Sequence, residues 1–168
     1  MRTLILLRHA KAVRHHEAPT DKARALTGRG RRDAAAAGAA MEDAGLAPAL
    51  ALVSTSERTR ETAEHGLQNF QLERRYEDAL YHAGVGGLWD AFSSADADSV
   101  VIVGHNPGIG ELASDLIAQA HDGSKLAREF SGHFPTAAFA AFEIRGDLLD
   151  AAGSRLLAAW KPVRREDD

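Results

Sequence analysis

The chain has 168 residues, 45% hydrophobic and 26% charged, the make-up of an ordinary globular protein, and it predicts a single domain over 1–168 with a real core. A net charge of −4 provides no basic field, so nucleic acid is not an expected partner. The absence of cysteine excludes a disulfide framework and a thiolate metal site.

The first predicted element is a strand over Thr3 to Leu7. An apolar run this short, without polar alternation, reads as a strand buried on both faces. It runs straight into Arg8-His9. With Arg2 before it and Ala10-Lys11-Ala12 after it, the segment imitates a signal peptide. It is far shorter than an h-region, however, and Arg8-His9 breaks it before the supposed cleavage site. No run approaches transmembrane length, so no membrane partner and a cytoplasmic location are expected.

Val13 to Arg24, rich in His, Pro, Asp and Arg, reads as a loop. Thr27 is placed as the N-cap of a helix reaching Ala44, with Gly45 at C′. Its Ala-rich surface suits close packing on a sheet. Leu50 to Ser54 is a second strand, followed by a helix from about Thr55-Ser56-Glu57-Arg58 to Leu67. Leu72 to Tyr76 reads as a short strand, Glu77 to Gly84 as a loop and Leu88 to Ala95 as a helix. Ser99 to Gly104 is the clearest strand after the first. It ends in His105-Asn106-Pro107-Gly108, where Pro107 fits the first position of a helix running to Ala120.

Lys125 to Phe130 reads as a short helix. Two apolar runs follow, Thr136 to Ile144 and Leu156 to Trp160, split by the turn-like Arg145-Gly146-Asp147. They predict a hairpin on the sheet edge. The charged tail from Arg164 to Asp168 is expected to fray. The alternation of strands and helices predicts an α/β fold, a three-layer α/β/α sandwich with a mainly parallel central sheet and right-handed connections.

Ligands in open α/β sheets bind beyond the carboxyl ends of the strands. Three predicted strands end in residues suited to an anion: Arg8-His9, Ser54 leading to Arg58, and Gly104-His105-Asn106. If these strands are neighbours, two arginines and two histidines meet at one edge, where helix N-termini add positive dipole ends. Charge and size suit phosphate. Neutral imidazole is a competent nucleophile near neutral pH. A backbone carbonyl taking one ring N–H of His9 would aim its other nitrogen at phosphorus. Arg8 and Arg58 would fork onto the phosphoryl oxygens, and His105, protonated by the anion, would add a donor. Lys11, Arg24 and Asn106 are further candidates for phosphate contact. The leaving group needs an acid. Asp21, Glu77 and Asp78 are loop carboxylates within reach.

Five segments then carry a resemblance. They are Arg8-His9-Ala10-Lys11-Ala12; Asp21-x-x-Arg24-x-Leu26-Thr27-x-x-Gly30; Ser54-x-x-x-Arg58-x-x-x-Thr62-Ala63; Leu80-Tyr81-x-Ala83; and Val103-Gly104-His105-Asn106-Pro107-Gly108. In this order the chain resembles the histidine phosphatase superfamily, and within it the short SixA-type phosphohistidine phosphatases. One departure is Thr55, where the family often has Pro after the Ser of the second strand. The resemblance implies a phosphoglycerate mutase-like fold, His9 as the phosphorylated nucleophile, and Arg8, Arg58 and His105 as the phosphate pocket. It implies no metal or organic cofactor. It leaves the general acid open between Glu77, by position, and Asp21, as part of the SixA-like segment.

The expected activity is a metal-independent phosphatase acting on protein phosphohistidine. The alternative is a small-molecule phosphatase or phosphomutase of the same superfamily, and a third reading is a phospho-ligand binding module without turnover. The expected partner is a phosphorylated protein or small phosphate ester, and the expected state is a monomer. His15-His16 read as surface loop, since no third metal ligand accompanies them. His82, beside the acid segment, could line the pocket, against the simpler reading of a loop histidine.

Overall fold

Leu4 to Leu7 are fully buried, and they place the first strand near the middle of the sheet. A computed structural model describes residues 1–164. The strands are β1 (Arg2–Arg8), β2 (Leu50–Ser54), β3 (Glu73–Glu77), β4 (Ser99–Gly104), β5 (Phe139–Ile144) and β6 (Arg155–Trp160). They form one six-stranded sheet in the order β3-β2-β4-β1-β5-β6. The first four of these pair in parallel, while β5 runs antiparallel to β1 and β6 antiparallel to β5. The helices are α1 (Gly28–Asp43), α2 (Glu57–Gly66), α3 (Val85–Ser94), α4 (Gly108–Ala120) and α5 (Lys125–Phe130).

The central strands lack polar alternation because both of their faces are covered. Leu4, Leu6, Leu52 and Ile102 pack with Leu88 and Phe92 of α3 and Leu112 and Leu116 of α4. Ile5, Leu7, Val53 and Val103 pack on the other side with Met41 of α1 and Ala63 of α2. The result is the predicted three-layer α/β/α sandwich with a mostly parallel sheet. Each fully buried Leu in it contributes about 1.5–3 kcal/mol. No helix among the described residues is long and apolar enough to cross a membrane.

Local signals place the helix ends. Thr27 accepts from Gly30 N and Ser56 from Thr59 N, so both helices that follow are capped by side chains. Gly45 takes the left-handed conformation at φ 75° just past α1. At the α1–α2 crossing, a Cβ on Gly38 would lie 2.0 Å from Gly66 O, so the two helices meet backbone to backbone. Pro107 precedes α4 instead of opening it. The strand read at Leu72 to Tyr76 is β3, an edge strand whose charged side chains are exposed and guard the edge. The β5–β6 hairpin lies at the opposite edge, but its connection runs from Arg145 to Ser154 and includes a 3-10 turn at Leu149–Ala151, so it is longer than a tight turn. Of the charged tail, 165–168 lie outside the described residues.

Register decides where the site can form. Arg8 pairs with Gly104, and Val53 with Val103, so β1, β4 and β2 end level with one another. The loop after β1 is closed at its base by an Ala12–Leu26 bridge and tied to the start of α2 by Glu57 N donating to Lys22 O at 2.9 Å.

Candidate active site

His9 follows β1 and is held on both sides. Its N–H donates to Gly104 O at 3.0 Å. Ala10 N donates to Thr62 Oγ1 at 2.9 Å, and Thr62 Oγ1 donates to Arg58 O at 2.7 Å. The ring Nδ1 lies 2.7 Å from Ala10 O. A carbonyl only accepts, so Nδ1 carries the hydrogen and Nε2 keeps its lone pair. This is the backbone contact expected from the sequence. Burial first, then the nearby Arg8 and Arg58 cations, lower the His9 pKa to about 3 against the Ala10 bond, so the ring is neutral at neutral pH.

His9 lines a cavity of about 320 Å³ beyond the strand ends. Its walls bring four cationic side chains, Arg8, Lys11, Arg24 and Arg58, together with one carboxylate, Asp21. Arg58 is almost wholly buried. Its Nη1 donates to Asp21 O at 2.8 Å, and its Nη2 to Asp21 Oδ2 at 3.1 Å and to His105 Nδ1 at 3.3 Å. Arg8 Nη1 donates to Phe134 O at 3.0 Å. The Nε atoms of both arginines are buried and have no hydrogen-bond partner. Four cationic side chains lining a cavity with a nucleophilic nitrogen are a place for anionic oxygens.

His105 receives Arg58 at Nδ1, and a guanidinium only donates, so its Nε2–H donates to Ser54 Oγ at 2.8 Å. Burial, then the Arg58 cation, lower its pKa to about 3. The ring is therefore neutral in this arrangement, and only an added anionic charge would protonate it. Asn106 lines the cavity, but its side chain is occupied in the turn: Nδ2 donates to Phe134 O at 2.9 Å and Oδ1 accepts from Gly110 N at 3.0 Å. It is a wall more than a phosphate ligand. Arg24 donates to Val13 O and to Asp21, and Lys11 is exposed at the rim.

The two candidate acids separate. Glu77 does not line the cavity, because it ends the edge strand β3 and the 3-10 turn Asp78–Leu80 carries the chain past it. Asp78 is exposed and engaged by Lys22 and by Thr55, the residue at the family's usual Pro position. Asp21 does reach the cavity. Its carboxylate accepts from Tyr81 OH, from Arg24 Nη1 at 3.0 Å and from Arg58 Nη2, with His82 Nε2 at 3.3 Å. The Tyr81 hydrogen bond first, then those of Arg24, His82 and Arg58, hold its pKa well below the usual carboxylate range. Asp21 is thus an anion without a proton to give.

Sequence reading missed Tyr81, Thr62 and Ser54 as members of the site. All three lie inside the matched segments, so the signal was present as pattern but not as role. His15 and His82 also line the cavity. Among the described residues no group of three or more His, Cys, Asp or Glu is placed to hold a metal ion.

The family described as histidine phosphatase superfamily (branch 1) matches residues 4–99. The uncharacterized protein Rv1276c of Mycobacterium tuberculosis is 29% identical over 146 residues, covering 86% of this chain and 90% of that one. A Nakamurella multipartitia protein, assigned in its structure as the phosphohistidine phosphatase SixA, is 34% identical with a TM-score of 0.83, and 97% of each chain is covered. A second such assignment, from Agrobacterium tumefaciens, is 27% identical at a TM-score of 0.80, covering 96% of this chain and 98% of that one. The chain therefore belongs to the histidine phosphatase superfamily, branch 1, and is of the SixA type.

Proposed function

We propose that this phosphatase works through a covalent phosphohistidine on His9 and that its substrate is phosphohistidine carried by another protein. His9 Nε2 attacks phosphorus and the bond to the leaving atom breaks, its electron pair going to the leaving group, which takes up a proton. Water then attacks the phospho-His9, the P–Nε2 bond breaks, and inorganic phosphate departs. Arg8 and Arg58 hold the phosphoryl oxygens as charge builds on them.

The observation that carries this reading is the cavity in which Arg8 and Arg58 gather around a neutral His9 with Nε2 free. The protein substrate is supported by the SixA relatives, whose names state phosphohistidine phosphatase.

Labelling with a phosphorylated substrate, quenched in alkaline detergent, tests the first half. Alkali-stable, acid-labile phosphate on His9 is expected, and a His9→Ala variant with full turnover would refute the nucleophile. A panel of phosphohistidine protein, sugar phosphates and phosphoglycerates tests the second half. Preference for the small esters would replace the protein substrate with a metabolite, and binding of phosphate without turnover on any of them would leave a binding module.

A further inference from the structure

We propose that His82 is the acid that protonates the leaving group, a role resting on the phospho-His9 reading above. Among the described residues, the carboxylates nearest the site are each engaged or off the cavity. Asp21 is held as an anion by Tyr81, Arg24, Arg58 and His82, Glu77 is off the cavity, and Asp78 is spent on Thr55 and Lys22. His82 has what they lack. It lines the same cavity as His9, and its side chain is 52% exposed, so a leaving group can reach it. Its ring stacks on His105, with centroids 5.1 Å apart and planes 17° apart, and His105 in turn lies 5.4 Å from His9. The acid thus sits one ring beyond the pocket that holds the phosphoryl group.

Its orientation is built in. The backbone at His82 has φ 56°, the left-handed region that a non-glycine residue adopts only when its surroundings hold it there. Nε2 lies 3.3 Å from Asp21 Oδ2, and the Tyr81 ring packs against the His82 ring at 75° with centroids 4.2 Å apart. The groups facing the ring are Asp21 from the loop, Tyr81 from its own segment, His105 from the end of β4, and Arg58 of α2 beyond Asp21. An Nε2–H donated to Asp21 leaves Nδ1 to carry the mobile proton. As the P–N bond of phosphohistidine breaks, or the P–O bond of an ester used as a probe, that proton passes to the leaving nitrogen or oxygen. The neutral ring takes one back from the water that cleaves phospho-His9. Histidine is the side chain suited to both directions near neutral pH.

The test measures phospho-His9 formation from 4-nitrophenyl phosphate, whose anion leaves without a proton, and from phenyl phosphate, whose oxygen needs one. Wild type and His82→Asn are compared, since Asn tolerates the left-handed backbone. The variant is expected to lose about 100-fold on phenyl phosphate. Its loss on 4-nitrophenyl phosphate is expected to be smaller by at least a factor of about ten. Equal losses on both substrates would make His82 a structural residue and overturn the proposal. So would no loss on phenyl phosphate, or a wild type that labels His9 from 4-nitrophenyl phosphate alone. No label from either ester in wild type would instead overturn the covalent mechanism, and the acid with it.

Discussion

Lowering the pH from 7 to 5 should weaken the fold through two buried rings, His9 and His105. Both are pushed from an ordinary 6.5 to about 3, so between those values the unfolded chain binds protons that the folded chain refuses. Stability therefore rises with pH through this window. It is fully present above the unfolded pKa and drains away as pH falls below 6.5 toward 3. At pH 5 each ring is about 1.5 units into the window, and at 1.36 kcal/mol per unit that is about 2 kcal/mol per ring. If the rings act independently the sum is about 4 kcal/mol, a large part of the roughly 5–15 kcal/mol typical of a domain. The depressed pKa of Asp21 does not intrude, because its contribution is lost only below the ordinary 3.8 of an unfolded Asp. Urea unfolding at pH 7 and 5 measures the difference. His9→Gln and His105→Gln, which cannot titrate, should each remove about half of it. A wild-type change below about 1 kcal/mol, or variants that keep the whole difference, would refute the reasoning.

Three further outcomes are expected. Arg58→Ala should lower kcat/KM by about 10²–10³, and Arg58→Lys should not restore it, because a point charge cannot reproduce a fork that serves Asp21, His105 and substrate together. Steady-state kinetics on the labelled substrate decides this. Thr62→Val leaves the Ala10 N–H unpaired and should cost about 1–3 kcal/mol in urea unfolding. It should also lower kcat more than it changes KM, because His9 loses its anchor. Gly38→Ala puts a Cβ against Gly66 O at 2.0 Å and should destabilise by about 1–3 kcal/mol, with activity per folded molecule retained because the crossing lies away from the cavity.

Much of this architecture is legible along the chain. β1, β2 and β4 announce themselves as apolar runs because each is covered on both faces, and Thr27 and Gly45 mark the ends of α1 by their own capping chemistry. The positions of β3 and of the β5–β6 connection are harder to read. An edge strand buries little, so Glu73 to Glu77 shows charge where a core strand shows Val or Ile. The turn-like Arg145-Gly146-Asp147 hides a longer excursion whose returning contact, Arg145 N to Ala152 O, is not written in either segment.

The same division runs through the site. By itself the sequence determined the chemistry on offer: a His after a buried strand, two arginines, a second His at a later strand end, and the loop carboxylates. Those are local facts of residue type and spacing. Only the tertiary structure decided which groups hold a proton. Asp21 is anionic because Tyr81, 60 residues away, and Arg58, 37 residues away, donate to it. His105 is neutral because the fold buries it beside Arg58. His82 stands at the cavity because a 3-10 turn carries the chain beyond Glu77. Protonation depends on desolvation and on charges a few ångströms away through space, and those distances exist only once the strands have paired.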